Sequence, residues 1–266
     1  MTHQVVRYKD VEARFPGLKE PLYEFCKSLY SQELLGLAAL KKHIGDLKDH
    51  YDQFVPINNV GKCPFCGMND LKSVYHSKRE AYDHYLPKSI YPFNSINFFN
   101  LAPACHECNS TYKSTKDPTF EPKDKLRAAA PRKAFYPYST AQYQIEISVT
   151  LKHNNLDTLQ PDDIDLKFGP ATLQDELDTW QDVYGLQERY RAKFCDGDAK
   201  DWIETFRIAN RRSGTSPQEF IETMTEGLAE RPYANLKFLK KAFLEEAHRI
   251  GALDAIATHQ PQQKNA

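Results

Sequence analysis

Between two pairs of cysteines lies a run of side chains suited to phosphate-ester chemistry. It reads Ala81-Tyr82-Asp83-His84-Tyr85-Leu86-Pro87-Lys88-Ser89, then Asn97-Phe98-Phe99-Asn100-Leu101-Ala102-Pro103, then Cys105-x-x-Cys108-Asn109, with Lys113 beyond. Hydrolysing a phosphodiester requires a hard cation on the scissile phosphate, a base for the attacking water and relief of the charge building on the leaving oxygen. Asp83 offers a carboxylate and Asn109 an amide oxygen, the ligand types that Mg²⁺ or Mn²⁺ prefers. His84 can be neutral near pH 7 and accept a proton. Taken as a strand, Tyr82–Tyr85 points Asp83 and His84 to opposite faces. The bare pattern leaves open how both reach one phosphate.

The cysteines form a separate device. Cys63-Pro64-Phe65-Cys66 and Cys105-His106-Glu107-Cys108 are two C-x-x-C knuckles with 38 residues between them. Four thiolates saturate a tetrahedral Zn²⁺, so this site is structural and carries no chemistry. His106, inside the second knuckle, is read as an outward-facing residue. Cys26 and Cys195 stand alone in helical patterns and read as small buried apolar residues.

The ordered motif Asp83-His84-x-x-Pro87, Asn100-Leu101-x-Pro103 and Cys105-x-x-Cys108-Asn109 resembles the HNH endonuclease superfamily in its zinc-containing version, the ββα-metal fold. The resemblance covers about residues 60–117. It implies a metal-dependent endonuclease that hydrolyses DNA, with Asp83 as the metal-binding acid, His84 as the general base and Asn109 as a second metal ligand. Asn100 matches the asparagine that holds the loop between the two strands by hydrogen bonds. Lys113 stands near a basic residue that contacts phosphate, one position further from Asn109 than in the commonest pattern. Size, central motif and helical flanks also resemble the PtuB-like bacterial anti-phage effector nucleases. That resemblance implies a defence role and an ATPase partner; the flanks could instead bind a target, dimerise into an oligomer, or hold the nuclease inactive.

The surrounding elements must position these residues. Leu22, Phe25, Leu29, Leu34, Leu37, Leu40, Ile44 and Leu47 recur at helical spacing, predicting a helix over 20–54 that Pro56 and Gly61 bring to an end. Gln144–Lys152 alternates, with Ile145, Ile147, Val149 and Leu151 on one face, and Ile164–Phe168 is its expected hairpin partner. From Leu173 onward the pattern is helical. Trp202, Phe206 and Ile208 fit a second helix, and Ser216-Pro217-Gln218-Glu219 is a capping box. The expected fold class is α+β, mostly helical. The expected boundaries are 1–58 helical, 59–117 the HNH motif with its zinc site, 118–170 linker and hairpin, 171–257 helical and 258–266 a frayed tail.

The chain has 266 residues and a net charge of −1, with 41% hydrophobic residues. Mean hydropathy is −0.65. No apolar stretch is long enough for a membrane span, and the polar start lacks a signal-peptide core, so the expected location is cytoplasmic. Residues 61–133 hold twelve Lys and Arg against seven Asp and Glu, which places positive charge around the motif where a polyanion would need it. His76, Lys78 and Arg79 read equally as phosphate contacts or as a solvated face. A rival reading is a non-catalytic zinc module that binds nucleic acid or a partner protein. It lacks a use for the oxygen and imidazole groups between the knuckles. RNA remains open as a target.

Overall fold

Capping and alternation, the strongest local signals, produce the best-defined elements. The structure, a computed structural model, describes residues 6–30, 41–42, 45–57, 61–121, 130–141 and 143–258. The chain is mixed α/β and divides into two units, and among the described residues each holds one two-stranded antiparallel sheet. The first unit comprises Met1–Gln142 and Asp175–Tyr184; the second comprises Tyr143–Gln174 and Gly185–Ala266. Among the described residues no helix is long and apolar enough to cross a membrane.

The first unit begins with α1 (Tyr8–Arg14), α2 (Lys19–Leu29) and α3 (Leu47–Ile57). The single helix expected over 20–54 is therefore corrected. Gly45 adopts φ +84°, a conformation that costs glycine little, and its N–H closes on Lys41 O. Asp46 then accepts from Lys48 N–H at 2.9 Å and caps α3. Leu34, Leu37, Leu40 and Ile44 lie outside the described residues. Pro56 stands within the last turn of α3 rather than after it.

Strand β1 (Tyr82–His84) pairs antiparallel with β2 (Leu101–Pro103), placing Asp83 opposite Ala102 and His84 opposite Leu101. Tyr51 of α3 meets Tyr82 edge-on, and Tyr51, Phe54 and Val55 are all buried. The helix α4 (Gln174–Tyr184) supplies the late segment of this unit. Its Tyr184 ring stacks on Phe65 at 4.7 Å, and Trp180 Nε1–H donates to Phe65 O at 2.6 Å. A stretch far along the chain thus packs on the first cysteine knuckle.

In the second unit β3 (Glu146–Leu151) and β4 (Ile164–Gly169) form the expected hairpin, with Val149 opposite Leu166 and Leu151 opposite Ile164. Among the described residues its α-helices are α5 (Leu186–Cys195), α6 (Gly197–Ser213), α7 (Pro217–Thr225), α8 (Lys237–Arg249) and α9 (Ala252–Thr258). Ser216 caps α7 reciprocally with Glu219. The core includes Phe194 stacked on Phe243, with Trp202 edge-on to the same ring. Ile208, in the same helix α6, is 37% exposed. It lies two positions after the buried Phe206, about 200° round the helix and so on the other face. Cys26 is buried, but Cys195, at the end of α5, is only half-buried.

Candidate active site

The cysteine turns are shaped by backbone bonds before any ion is considered. Gly67 N–H closes on Cys63 O at 2.8 Å, and Cys63 N–H donates to Asn69 O at 2.8 Å. The turn leaves through Gly67 at φ +66°. Cys63, Cys66, Cys105 and Cys108 are all buried, and their sulfurs lie within 4.8 Å of one another. Sulfurs bound about 2.3 Å from a central Zn²⁺ would stand about 3.8 Å apart. The Cys66–Cys105 sulfur separation of 4.0 Å is close to that edge. Burial pushes the Cys63 thiol well above its ordinary range, whereas hydrogen bonds with Cys108 and Cys63 hold the Cys105 thiol down to about 6. Cys105 N–H points at Cys63 Sγ, 3.4 Å away, a donor suited to a thiolate. The group can hold a zinc ion. His106 is exposed.

Glu107–Lys113 leaves the second knuckle as a π-helical segment. Its wide turn is closed by Ser114 N–H on Asn109 O at 3.0 Å, and Ser114 ends it at φ +47°. A π turn holds one residue more than an α turn. The extra position between Asn109 and Lys113 is absorbed there, and it turns Lys113 inward. Lys113 is 1% exposed and donates to Asp83 Oδ1 at 2.9 Å and to His84 O at 2.7 Å. The lysine expected to meet phosphate is placed beneath β1, against the acid.

Asp83 is 2% exposed. Burial raises its carboxyl above the usual range, and the adjoining Lys113 ammonium opposes that rise. Its second oxygen, Oδ2, is buried and has no hydrogen-bond partner among the described residues. Asn109, half-buried on the π-helix, directs its amide N–H₂ toward Tyr82 O at 3.4 Å, which leaves Oδ1 as an acceptor on the same strand neighbourhood. Asp83 and Asn109 thus both lie against β1.

His84 points away from Asp83, as alternation along a strand requires. Its Nε2 lies 2.9 Å from Ser95 O. A carbonyl only accepts, so Nε2 carries the proton and Nδ1 the lone pair. Burial holds the imidazole down to about 4, neutral at physiological pH. The Tyr30 ring covers it edge-on at 4.2 Å, and Lys88 Nζ sits 3.8 Å over that Tyr30 ring. Asn100 spans the loop between the strands. Its Oδ1 accepts from Leu86 N–H at 2.7 Å, and its Nδ2 donates to Leu86 O and Asn94 O, each at 3.0 Å.

Comparison with known proteins gives two short likenesses. Septu protein PtuB of Bacillus thuringiensis is 36% identical over 64 residues, which is 23% of this chain and 24% of that protein. Protein ea31 of Escherichia phage lambda is 35% identical over 63 residues, 23% of this chain and 18% of that one. The chain therefore matches about a quarter or less of these relatives' own length. No family model and no solved structure matches it.

The contacts of three contributors to the site could not be read from the sequence. Tyr30 lies 54 positions before His84, and its approach depends on how α2 packs. Ser95 acts through a main-chain carbonyl, which any residue possesses. Lys88 announced a cation but not the ring beneath it.

Proposed function

We propose that this protein is an HNH-type endonuclease that hydrolyses DNA phosphodiesters, acting in anti-phage defence with an ATPase partner. The supporting observation is Asp83 Oδ2, a buried carboxylate oxygen without a partner on a strand also touched by Asn109. Buried polar atoms are rarely left unanswered, and such an exception calls for an ion or a catalytic role. Asp83 Oδ2 and Asn109 Oδ1 would hold Mg²⁺ or Mn²⁺. When bound, the ion supplies positive charge to the scissile phosphate and the leaving oxygen. His84 Nδ1 takes the proton of the attacking water, while the Ser95 carbonyl fixes the tautomer. Asn100 keeps the intervening loop closed. The likeness to Septu protein PtuB supports the defence setting.

The test is plasmid nicking with Mg²⁺ or Mn²⁺, run beside linear DNA and RNA. His84→Ala should abolish cleavage while one zinc per chain remains by metal analysis. Undiminished cleavage by that variant would remove His84 from the role of base. The rival zinc-module reading draws on the Asp83–Lys113 pair, which already neutralises the carboxylate. Nucleic-acid binding with no cleavage under either cation would favour it.

A further inference from the structure

The turn leading into β1 holds an aromatic ring out in water. Its neck is closed twice. The hydroxyl of Tyr51, itself 1% exposed, donates to Lys72 O at 2.9 Å and accepts from Glu80 N–H at 3.3 Å. Lys72 Nζ also pairs with Glu80 at 2.8 Å. Inside the neck, His76 N–H donates to Ser73 O at 3.0 Å, while His76 Nδ1 accepts from Ser73 N–H at 3.1 Å. These bonds fix Val74 and Tyr75 at the apex. Tyr75 is 94% exposed, the highest value for a large apolar side chain among the described residues, and Val74 is 44% exposed. A large ring contributes to folding by being buried, and this ring is not. A braced turn that keeps it in solvent offers it to something else.

Charge narrows the occupant. Ser73–Arg79 contains Lys78 and Arg79 and no Asp or Glu. Arg79 is engaged: its guanidinium lies 5.0 Å from the Tyr82 ring centroid, it donates to Glu80 O at 3.3 Å, and the Asp46 carboxylate feels its field. Lys78 is exposed and makes no ion pair among the described residues. An exposed ring and an exposed ammonium three positions apart on one turn match a nucleobase and its phosphate, because every base has a π face. Inside a duplex those faces are covered by stacking, so an unpaired base fits better.

We propose that Ser73–Arg79 docks unpaired nucleic acid, with a base stacked on Tyr75 and the adjoining phosphate on Lys78. The proposal rests on the reading of the protein as a nuclease, and would place single-stranded or unstacked substrate at the entrance to the strand bearing Asp83 and His84. The full-length chain is titrated, without added divalent cation, against a fluorescent mixed-sequence single-stranded DNA and the matching blunt duplex. Tyr75→Ala should weaken single-strand binding roughly five- to 100-fold. Tyr75→Phe should stay within about twofold because it keeps the π face. Lys78→Gln should lower the salt-dependence slope by about one. Fluorescence of Tyr75→Trp should be quenched by the single strand. Parental single-strand affinity in Tyr75→Ala, or an equal loss on duplex, overturns the docking proposal and leaves the nuclease reading standing. Absence of nucleic-acid affinity in the parent protein overturns both.

Discussion

Burial works against a charge on Asp83, and the Lys113 ammonium, 2.9 Å from its Oδ1, works for one. At 2% and 1% side-chain exposure the pair has almost no help from water. Removing one partner of a buried pair leaves an uncompensated charge, so Lys113→Met should lose about 3–5 kcal/mol in chemical denaturation. Adding Asp83→Asn to Lys113→Met should recover much of that loss, since the orphaned charge goes too. A double variant as unstable as the single one would show that packing, not charge, is at stake. Mn²⁺ should raise the melting temperature of Lys113→Met more than that of the parent, because a bound cation would take over the vacated partner's task. Equal shifts would place the ion elsewhere. Asp83, His84 and Asn109 were legible in the sequence as chemical types. The inward turn of Lys113 was not, because a position four residues beyond Asn109 faces differently on a π turn than on an α turn.

The elements differ in how much of their stability is their own. Strands β1 and β2 have three residues each and rely on α3, the π-helix and the cysteine turns around them. Chelating the zinc should therefore unfasten the first unit. Trp180 reports on it, since its indole is bonded to Phe65 O in the knuckle. Its emission should shift red on chelation in a Trp202→Phe background, and an unchanged spectrum with zinc gone would contradict a structural metal. Cys63→Ser should give the same red shift. In the second unit, β3 is tied to α8 by Leu151 N–H on Glu246 Oε1 at 3.1 Å, and Arg249 also bonds that carboxylate. Arg249 holds the Glu246 carboxyl below its ordinary 4.5. Its stabilisation is thus complete above pH 4.5 and fades as pH falls through the lower folded value. Glu246→Gln should be less stable than the parent at pH 7, and the gap should close in strong acid; a gap independent of pH would exclude this origin. The β3–β4 hairpin was readable because alternation extends along both strands. Strands as short as β1 and β2 show no periodicity, and only the motif marked them. The break at Gly45-Asp46 could be read from a glycine followed by a capping residue, but the apolar recurrence across it suggested continuity.

At the scale of the molecule, the least legible feature is which segments belong together. The sequence reads as consecutive blocks, yet Asp175–Tyr184 groups with residues before Tyr143. Nothing local marks this: the apolar face of α4 reads like any other, and its fit to Phe65 exists only once the cysteine turn has formed. A fragment of residues 59–117 should consequently bind zinc but melt without cooperativity, and adding back a longer fragment that ends before Asp175 should not restore a sharp transition. A sharp transition in the short fragment would show that α4 is dispensable. The same discontinuity sets a timetable during synthesis. Residues leave the ribosome in order, at about 5–20 per second, so several seconds separate the emergence of Gln142 from that of Tyr184. Throughout that interval Phe65 lacks its covering ring, and a zinc on the nascent cysteine turns would have to be held without α4. The arrival of α4, and whether zinc has by then fastened the cysteine turns, would set how long that apolar surface stays open to aggregation.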